Sequence, residues 1–509
     1  MKNILIVTIG NSDVQVKGDV TGTGFQIDNQ QRSSAFVLKK EGLEPIEVVK
    51  NRNYEHYLIA KPRLNGEKIA QHFQVYRPTL DFPIILPVIE QLLADQIQLA
   101  EIWLVYTNQA DEKQRLNDTL FFKDIIKTEI QNRHPGIKTV DYEITDDVTN
   151  IDYQYKDFLK KGKEIIRQQH EINKIYLLPQ GGIDQINTAL TLQFIQLFKD
   201  KLVLYQKAEN TQARQMNFPQ LFLEDLTREK IIEHIKNYDF RLAVELMLAN
   251  EGNYKSIKKL CKYAADRLEL LHDGNAGSIF SFNDIKEEGD LERVFVNRLK
   301  LKYKELSVSE QHAVKLADVI YQCKICFLVQ KDYNKGLVLF FTLIENLIKV
   351  ELEKLYSPRY DLYKYRKEDK KWLERLSWEG FIEEIDPALF DYIKTVKLQH
   401  GSPLNLSSPN RLTYFYLYSF LLSNDKIPQK IQPDEFDRFF NFCEKMAGNR
   451  NGLAHNLKGV SESDLNSLLK KFNYTLKTMF DPIDQIAGTS GFGIYQEIQH
   501  KVLEILDKN

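Results

Sequence analysis

Arg450, Asn451 and His455 stand close together in the string Gly448-Asn449-Arg450-Asn451-Gly452-Leu453-Ala454-His455. A histidine gives or takes a proton near neutral pH, and a guanidinium beside it clamps phosphate oxygens and offsets charge that develops in a transition state. Asn451 is placed to orient either one. Such a set suits phosphodiester chemistry. The run before it, residues 433–447, spaces Phe436, Phe439, Phe440, Cys443 and Met446 by threes and fours, which predicts an amphipathic helix. Gly448 and Asn449 are expected to stop that helix, with another beginning beyond Gly452. The three residues would then sit at a helix junction, where backbone donors and a positive dipole end favour a phosphate. On a regular helix Arg450 and His455 lie about 140° apart, so sharing one face requires a bend at the junction. The same string also reads as a plain helix start with a surface arginine and a partly buried histidine.

A second set of residues lies at the ends of predicted strands. Ile4-Leu5-Ile6-Val7-Thr8-Ile9 is apolar almost throughout, as a strand buried on both faces is, and it ends in Gly10-Asn11-Ser12-Asp13. Residues 101–106 end in Thr107-Asn108-Gln109, and residues 174–178 run into Pro179-Gln180-Gly181-Gly182-Ile183-Asp184-Gln185 before a helix over 186–198. Small polar residues at the carboxyl ends of parallel strands are where doubly wound sheets bind ligands, and glycines at a strand-to-helix turn let a ligand approach the backbone. The candidate binding set is Gly10, Asn11, Ser12, Thr107, Asn108, Gln180, Gly181, Gly182 and Gln185. Each of these strand ends also reads as an ordinary turn.

The elements that must position these residues alternate. Helices are predicted over 82–97, 116–133 and 155–169, and strands over 139–144 and 201–206, which makes the first part α/β. Residues 17–76 interrupt it with short alternating stretches, read as an irregular or β-rich insertion. Thr21-Gly22-Thr23-Gly24 lacks the following glycine and the helix that a phosphate loop needs. No Gly-x-Gly-x-x-Gly follows any strand, which argues against a nicotinamide enzyme.

After Phe218-Pro219 helical runs over 226–248 and 254–271 follow one another without strands, and residues 273–281, rich in Gly, Ser and Asn, read as a mobile loop. The run 335–355 carries Leu337, Phe340, Phe341, Ile344, Leu347 and Ile348 as an apolar stripe, with Glu345 expected inside it as a buried carboxylate in need of a partner. Met479-Phe480-Asp481-Pro482 marks a helix stop and a new start. Residues 354–375 interleave Arg and Lys with Tyr and Trp, a pattern that suits single-stranded RNA and equally a solvated helix face.

Composition narrows the classes. The 509 residues suggest about three domains, and a hydrophobic fraction of 43% can fill sizeable cores. A net charge of −2 excludes a protein that coats nucleic acid along its whole surface. Four cysteines in so long a chain make no disulfide scaffold and point to a reducing cytosol. Cys323-Lys-Ile-Cys326 has the spacing of half a zinc site without a second half, so no metal site is expected. The first apolar run is too short for a signal peptide and no run is long enough to span a membrane, so a soluble, cytoplasmic protein is expected.

The 450–455 string, the helical runs around it and the tail resemble the HEPN endoribonucleases, all-helical domains with an Arg-x4-6-His motif, over residues 305–509. The strand-end loop Gly10-Asn11-Ser12 and the turn Gln180-Gly181-Gly182-Ile183-Asp184-Gln185 resemble the CARF domain, a Rossmann-like sensor of cyclic oligoadenylates. Gln180 and Ile183 depart from it where hydroxyl residues are common. The order of the two resembles the type III CRISPR-associated accessory ribonucleases of the CARF-HEPN group. That resemblance implies a CARF-like α/β Rossmann-like domain over 1–220, a helical connector over 221–304 and an all-α HEPN domain over 305–509. It implies a homodimer that a cyclic tetra- or hexa-adenylate activates to cut single-stranded RNA without metal, with Arg450, Asn451 and His455 of two copies lining one cleft. A non-catalytic nucleotide-sensing scaffold or toxin–antitoxin component is the alternative. A transcriptional regulator would need a helix-turn-helix with a basic recognition helix, and the second half contains none.

Overall fold

The structure, a computed structural model, describes residues 2–29, 35–51, 55–110, 115–168, 172–208, 211–248, 254–270, 306–356, 382–384, 386–397, 401–404, 410–456 and 459–508, with 295 and 299. For residues 448–456 it describes the helix and not the side chains. The chain divides into two compact units, Met1–Leu226 and Thr227–Asn509.

The strands of the first unit are, in chain order, β1 (Lys2–Thr8), β2 (Gln15–Val16), β3 (Gln26–Asn29), β4 (Ala35–Lys39), β5 (Ile46–Lys50) and β6 (Tyr57–Ile59). There follow β7 (Leu80–Asp81), β8 (Leu99–Thr107), β9 (Lys138–Ile144), β10 (Ile172–Leu178), β11 (Leu202–Gln206) and β12 (Arg214–Met216). One sheet has the order β12-β11-β10-β1-β8-β9, parallel except for β12. Ile4 to Val7 are buried on both sides because each neighbour of β1 is a strand and each face carries helices. One face is covered by Ile85–Ala94 and Leu120–Arg133, and the other by Ile151–Gln168 and Asp184–Phe198. From β1 the chain builds outward through β8 and β9, then returns past β1 to β10. The switch point of this doubly wound sheet therefore falls between β1 and β10. The run over 201–206, predicted as a strand, is β11 and is not the last strand of the sheet, because β12 adds to it in the antiparallel sense. Three residues are too few to show a period-two pattern.

Among its described residues the insertion between β1 and β8 is rich in β structure. It forms a second sheet, β3-β4-β5-β6-β2-β7, antiparallel throughout, and Val16, Leu38, Ile46, Val48 and Ile59 share one core with Leu5 and Val7. Helix Pro62–Gln71 leaves this sheet and packs on Leu120–Arg133. Near the end of the insertion Arg77 meets Glu129 at 2.8 Å, and Arg133 meets it at 2.6 Å. Burial alone would raise the Glu129 carboxyl, but the two guanidiniums hold it below the usual carboxylate range.

Among the described residues the second unit is helical apart from one isolated bridge. Helices Phe240–Leu248 and Lys255–Leu268, from the expected connector, share a core with the C-terminal helix Ile494–Lys508. The larger core lies among Val308–Lys324, Tyr333–Tyr356, Arg411–Ser423, Pro433–Asn456 and Asp481–Ala487. Ser307 and Glu310 form a capping box that starts Val308–Lys324. That helix continues into a π-helical stretch, Ile325–Gln330, in which Ile325 packs into one core and Phe327 into the other. A buried polar group also links the helices. Arg267 pairs with Asp318 through two nitrogens at 3.1 and 2.7 Å, and the Tyr495 hydroxyl donates to the same carboxylate at 2.7 Å.

Two expectations here need correction. Glu345 is exposed, because its position lies about 95° around the helix from the centre of the apolar stripe, at the edge of the contact. The buried carboxylates of that helix are Glu351 and Glu353, held by Lys354 and Lys430 and by His312. Nor does the helix that begins at Pro433 stop at Gly448; it runs unbroken to Asn456. A glycine inside a helix costs only about 1 kcal/mol relative to alanine. The face formed by Phe436, Phe439, Phe442, Cys443 and Met446 is fully buried and outweighs that cost. The expected loop over 273–281 and most of the basic, aromatic stretch over 354–375 lie outside the described residues.

Candidate functional site

A cleft of about 730 Å³ opens at the carboxyl ends of the central strands of the first unit. Gly10, Asn11 and Ser12 enter it after β1, Thr107 at the end of β8 and Gln109 after it, Gln180 to Ile183 after β10, and Ala208 after β11; Ile84, Asn117 and Thr119 complete the described lining. This is the crevice that the switch point between β1 and β10 must leave, since the loops there depart in opposite directions.

Glycines set how closely its walls approach. A Cβ on Gly10 would lie 2.3 Å from the Gly182 nitrogen, and one on Gly181 would lie 2.3 Å from the Thr8 carbonyl and 2.4 Å from an Asp13 carboxylate oxygen. The fully buried Asp13 accepts the Gly10 N–H at 2.7 Å and so ties the first loop shut. Thus the glycines serve the contact between two loops of the chain. Gly182, at φ +82°, turns the chain into helix Asp184–Phe198, whose first N–H groups have no side-chain cap.

Of the nine residues expected to bind, seven line this cleft: Gly10, Asn11, Ser12, Thr107, Gln180, Gly181 and Gly182. Asn108 and Gln185 do not. Asn108 is turned to Arg63 and Glu143, at 2.9 and 2.5 Å, and Gln185 is exposed beyond the helix start. Successive side chains of a strand point to opposite sides, so if Thr107 faces the cleft Gln109 does too and Asn108 does not. That period was available in the triplet Thr107-Asn108-Gln109. Nothing local marked Asn117, Thr119, Ile84 or Ala208, which the sheet order brings in from other loops.

The lining has a particular chemistry. Its side chains offer amides and hydroxyls, and among the described lining residues none is charged. Gln180 accepts the Lys207 N–H through its carbonyl oxygen, which leaves its NH2 as a donor. Lys207, itself buried, donates its ammonium to the Ala208 carbonyl at 2.6 Å. Neutral donors, open backbone amides and a helix N-terminus suit a phosphate-bearing ligand with polar bases, held by hydrogen bonds.

In the second unit, Arg450, Asn451 and His455 occupy the last turns of helix Pro433–Asn456, and their side chains lie outside the described residues. No junction separates them, so the dipole end near them is the negative one, and the expected helix start for a phosphate is absent. Positions 450 and 455 stay about 140° apart around a continuous axis. Cys323 and Cys326 are buried, and their thiols meet the Gly336 carbonyl at 3.6 Å and the Gln330 side-chain oxygen at 3.8 Å. Burial pushes the Cys326 thiol up to about 11. Among the described residues no group of three or more His, Cys, Asp or Glu is placed to hold a metal ion, and no helix is long and apolar enough to cross a membrane.

No protein-family model matches the chain, and no curated protein matches it. Among solved structures it is similar to Enterococcus italicus Csm6 bound to cyclic hexa-2'-fluoro-hexa-dAMP. The TM-score is 0.53 at 14% sequence identity, over 99% of this chain and 100% of that one. The chain shares the Csm6 fold. The likeness runs through both units, from the α/β sheet to the helical region.

Proposed function

We propose that this chain is a CRISPR-associated ribonuclease whose α/β unit binds a cyclic oligoadenylate and whose helical unit, once activated, cuts single-stranded RNA. The observation that carries the reading is the cleft, lined among the described residues by polar and uncharged side chains, at the switch point of a fold shared over 99% of the chain with a Csm6 that was solved with a cyclic hexanucleotide analogue. A ring of nucleotides offers phosphates to the open amides and bases to the glutamine side chains.

In the helical unit the RNA 2′-hydroxyl attacks the adjacent phosphorus as the bond to the 5′-oxygen breaks, leaving a 2′,3′-cyclic phosphate and a 5′-hydroxyl. His455 moves the protons, Arg450 offsets charge on the phosphoryl oxygens, and Asn451 orients them. Helix geometry holds positions 450 and 455 of one copy far apart, so two copies of the chain complete one site. Purified protein incubated with labelled RNA in EDTA is expected to cut only when a tetra- or hexa-adenylate ring is present. His455→Ala is expected to lower the rate by about 10²–10⁴-fold. Wild-type cleavage by His455→Ala would remove the mechanism.

The unbroken helix favours a second reading, a non-catalytic nucleotide-sensing scaffold or toxin–antitoxin component. For that reading the same assay shows ring binding and no cleavage.

A further inference from the structure

The residue that fixes the polarity of one wall of the cleft lies behind it. Asp118 is fully buried, and its carboxylate accepts from the Gln109 backbone N–H at 2.6 Å and from the Gln109 side-chain nitrogen at 2.7 Å. A carboxylate only accepts, so the amide nitrogen of Gln109 must face Asp118 and the amide oxygen must face away. Gln109 lines the cleft, and its amide oxygen has no partner among the described residues. Arg63 donates to the same carboxylate at 3.1 Å and to the Asn108 side-chain oxygen at 2.9 Å, so the buried charge is balanced before any anionic ligand arrives. Arg63 comes from helix Pro62–Gln71, which leaves the inserted sheet. One contribution of the insertion to the cleft is thereby this guanidinium.

We propose that Asp118 is a positioning residue that locks the Gln109 amide with its oxygen toward the cleft, so that this wall selects a ligand carrying an exocyclic amine on a nucleobase. A freely rotating glutamine presents donor or acceptor as the ligand requires and selects neither. A locked acceptor rewards a group that only donates. A ribose hydroxyl both donates and accepts, and would gain nothing from the lock. The inference rests on the cyclic oligoadenylate reading and names which atom of the base this wall reads.

The test is a calorimetric titration of the full chain with an adenylate ring and with the same ring carrying hypoxanthine, which has an acceptor oxygen where adenine has the 6-amine, in place of adenine. The quantity read is the ratio of the two affinities. In Gln109→Ala that ratio is expected to fall about tenfold from its wild-type value, the worth of one hydrogen bond at a partly buried site. Asp118→Asn, which frees the amide to turn, is expected to lower it similarly, and the double variant to lower it no further. A merely structural role would weaken both rings equally and leave the ratio unchanged. A ratio in well-folded Gln109→Ala within twofold of wild type overturns the inference while ring binding itself stands, and this variant decides the matter if Asp118→Asn fails to fold. If the wild type binds neither ring, the functional reading falls, and the inference with it.

Discussion

Gly181 shows how much of a site one missing methyl can control. A Cβ there would lie 2.3 Å from the Thr8 carbonyl and 2.5 Å from the Gly10 nitrogen, both backbone atoms that cannot swing aside. Gly181→Ala is therefore expected to lower stability by about 1–3 kcal/mol and to abolish ring binding, as thermal unfolding and titration would read. Gly136 has open space around its would-be Cβ, and Gly136→Ala should leave both within about 1 kcal/mol. A pair of glycines was visible in the sequence as a mark of close approach. That the approach is to the loop after β1 was not, because residues 10 and 181 meet only when β10 lies beside β1.

Among the elements, the helices of the second unit depend on buried polar groups as well as on apolar faces. Asp318 holds both Arg267 and Tyr495, and burial alone would lower the Arg267 guanidinium, but the carboxylate raises it above its ordinary value. Asp318→Ala would strand that guanidinium among packed side chains and is expected to cost about 3–5 kcal/mol, measurable as a lower denaturant midpoint. Tyr418 supplies a pH test. Burial, with Glu351 nearby, pushes its hydroxyl up to about 12 from an ordinary value of 10. A group with a raised folded value contributes fully below the unfolded value and loses that contribution as pH rises. Stability should therefore decline between about pH 10 and 12, and less steeply in Tyr418→Phe. Helix Pro433–Asn456 carries the opposite lesson about reading elements. Gly448 looks like a stop when taken locally, yet the buried run from Phe436 to Met446 carries the helix past it.

At the scale of the whole molecule, two predictions follow from the proposed ring ligand of the α/β unit and the proposed sharing of a catalytic set between two copies. Saturation at about 100 times the dissociation constant should add about 2.7 kcal/mol to the stability of the α/β unit, read as a rise in its unfolding temperature with ring concentration. Because positions 450 and 455 of one copy are separated around their helix, Arg450→Ala and His455→Ala, each expected to be strongly impaired alone, should recover RNA cleavage when mixed. Continued inactivity of the mixture, with subunit exchange shown by mass, would count against the shared site.

Local periodicity was enough to determine the α/β order of the first part, the helical second part, most strand ends and the buried faces of the long helices, since side chains alternate or recur within a few residues. Strand order was beyond it. The switch point between β1 and β10, the approach of Gly10 to Gly181 and the lock that Asp118 places on Gln109 depend on residues far apart in sequence. Their register is settled by packing over the whole sheet. The inserted strands showed in the sequence only as short alternating stretches; their order in a second sheet, and the core they share with β1, came from the tertiary structure.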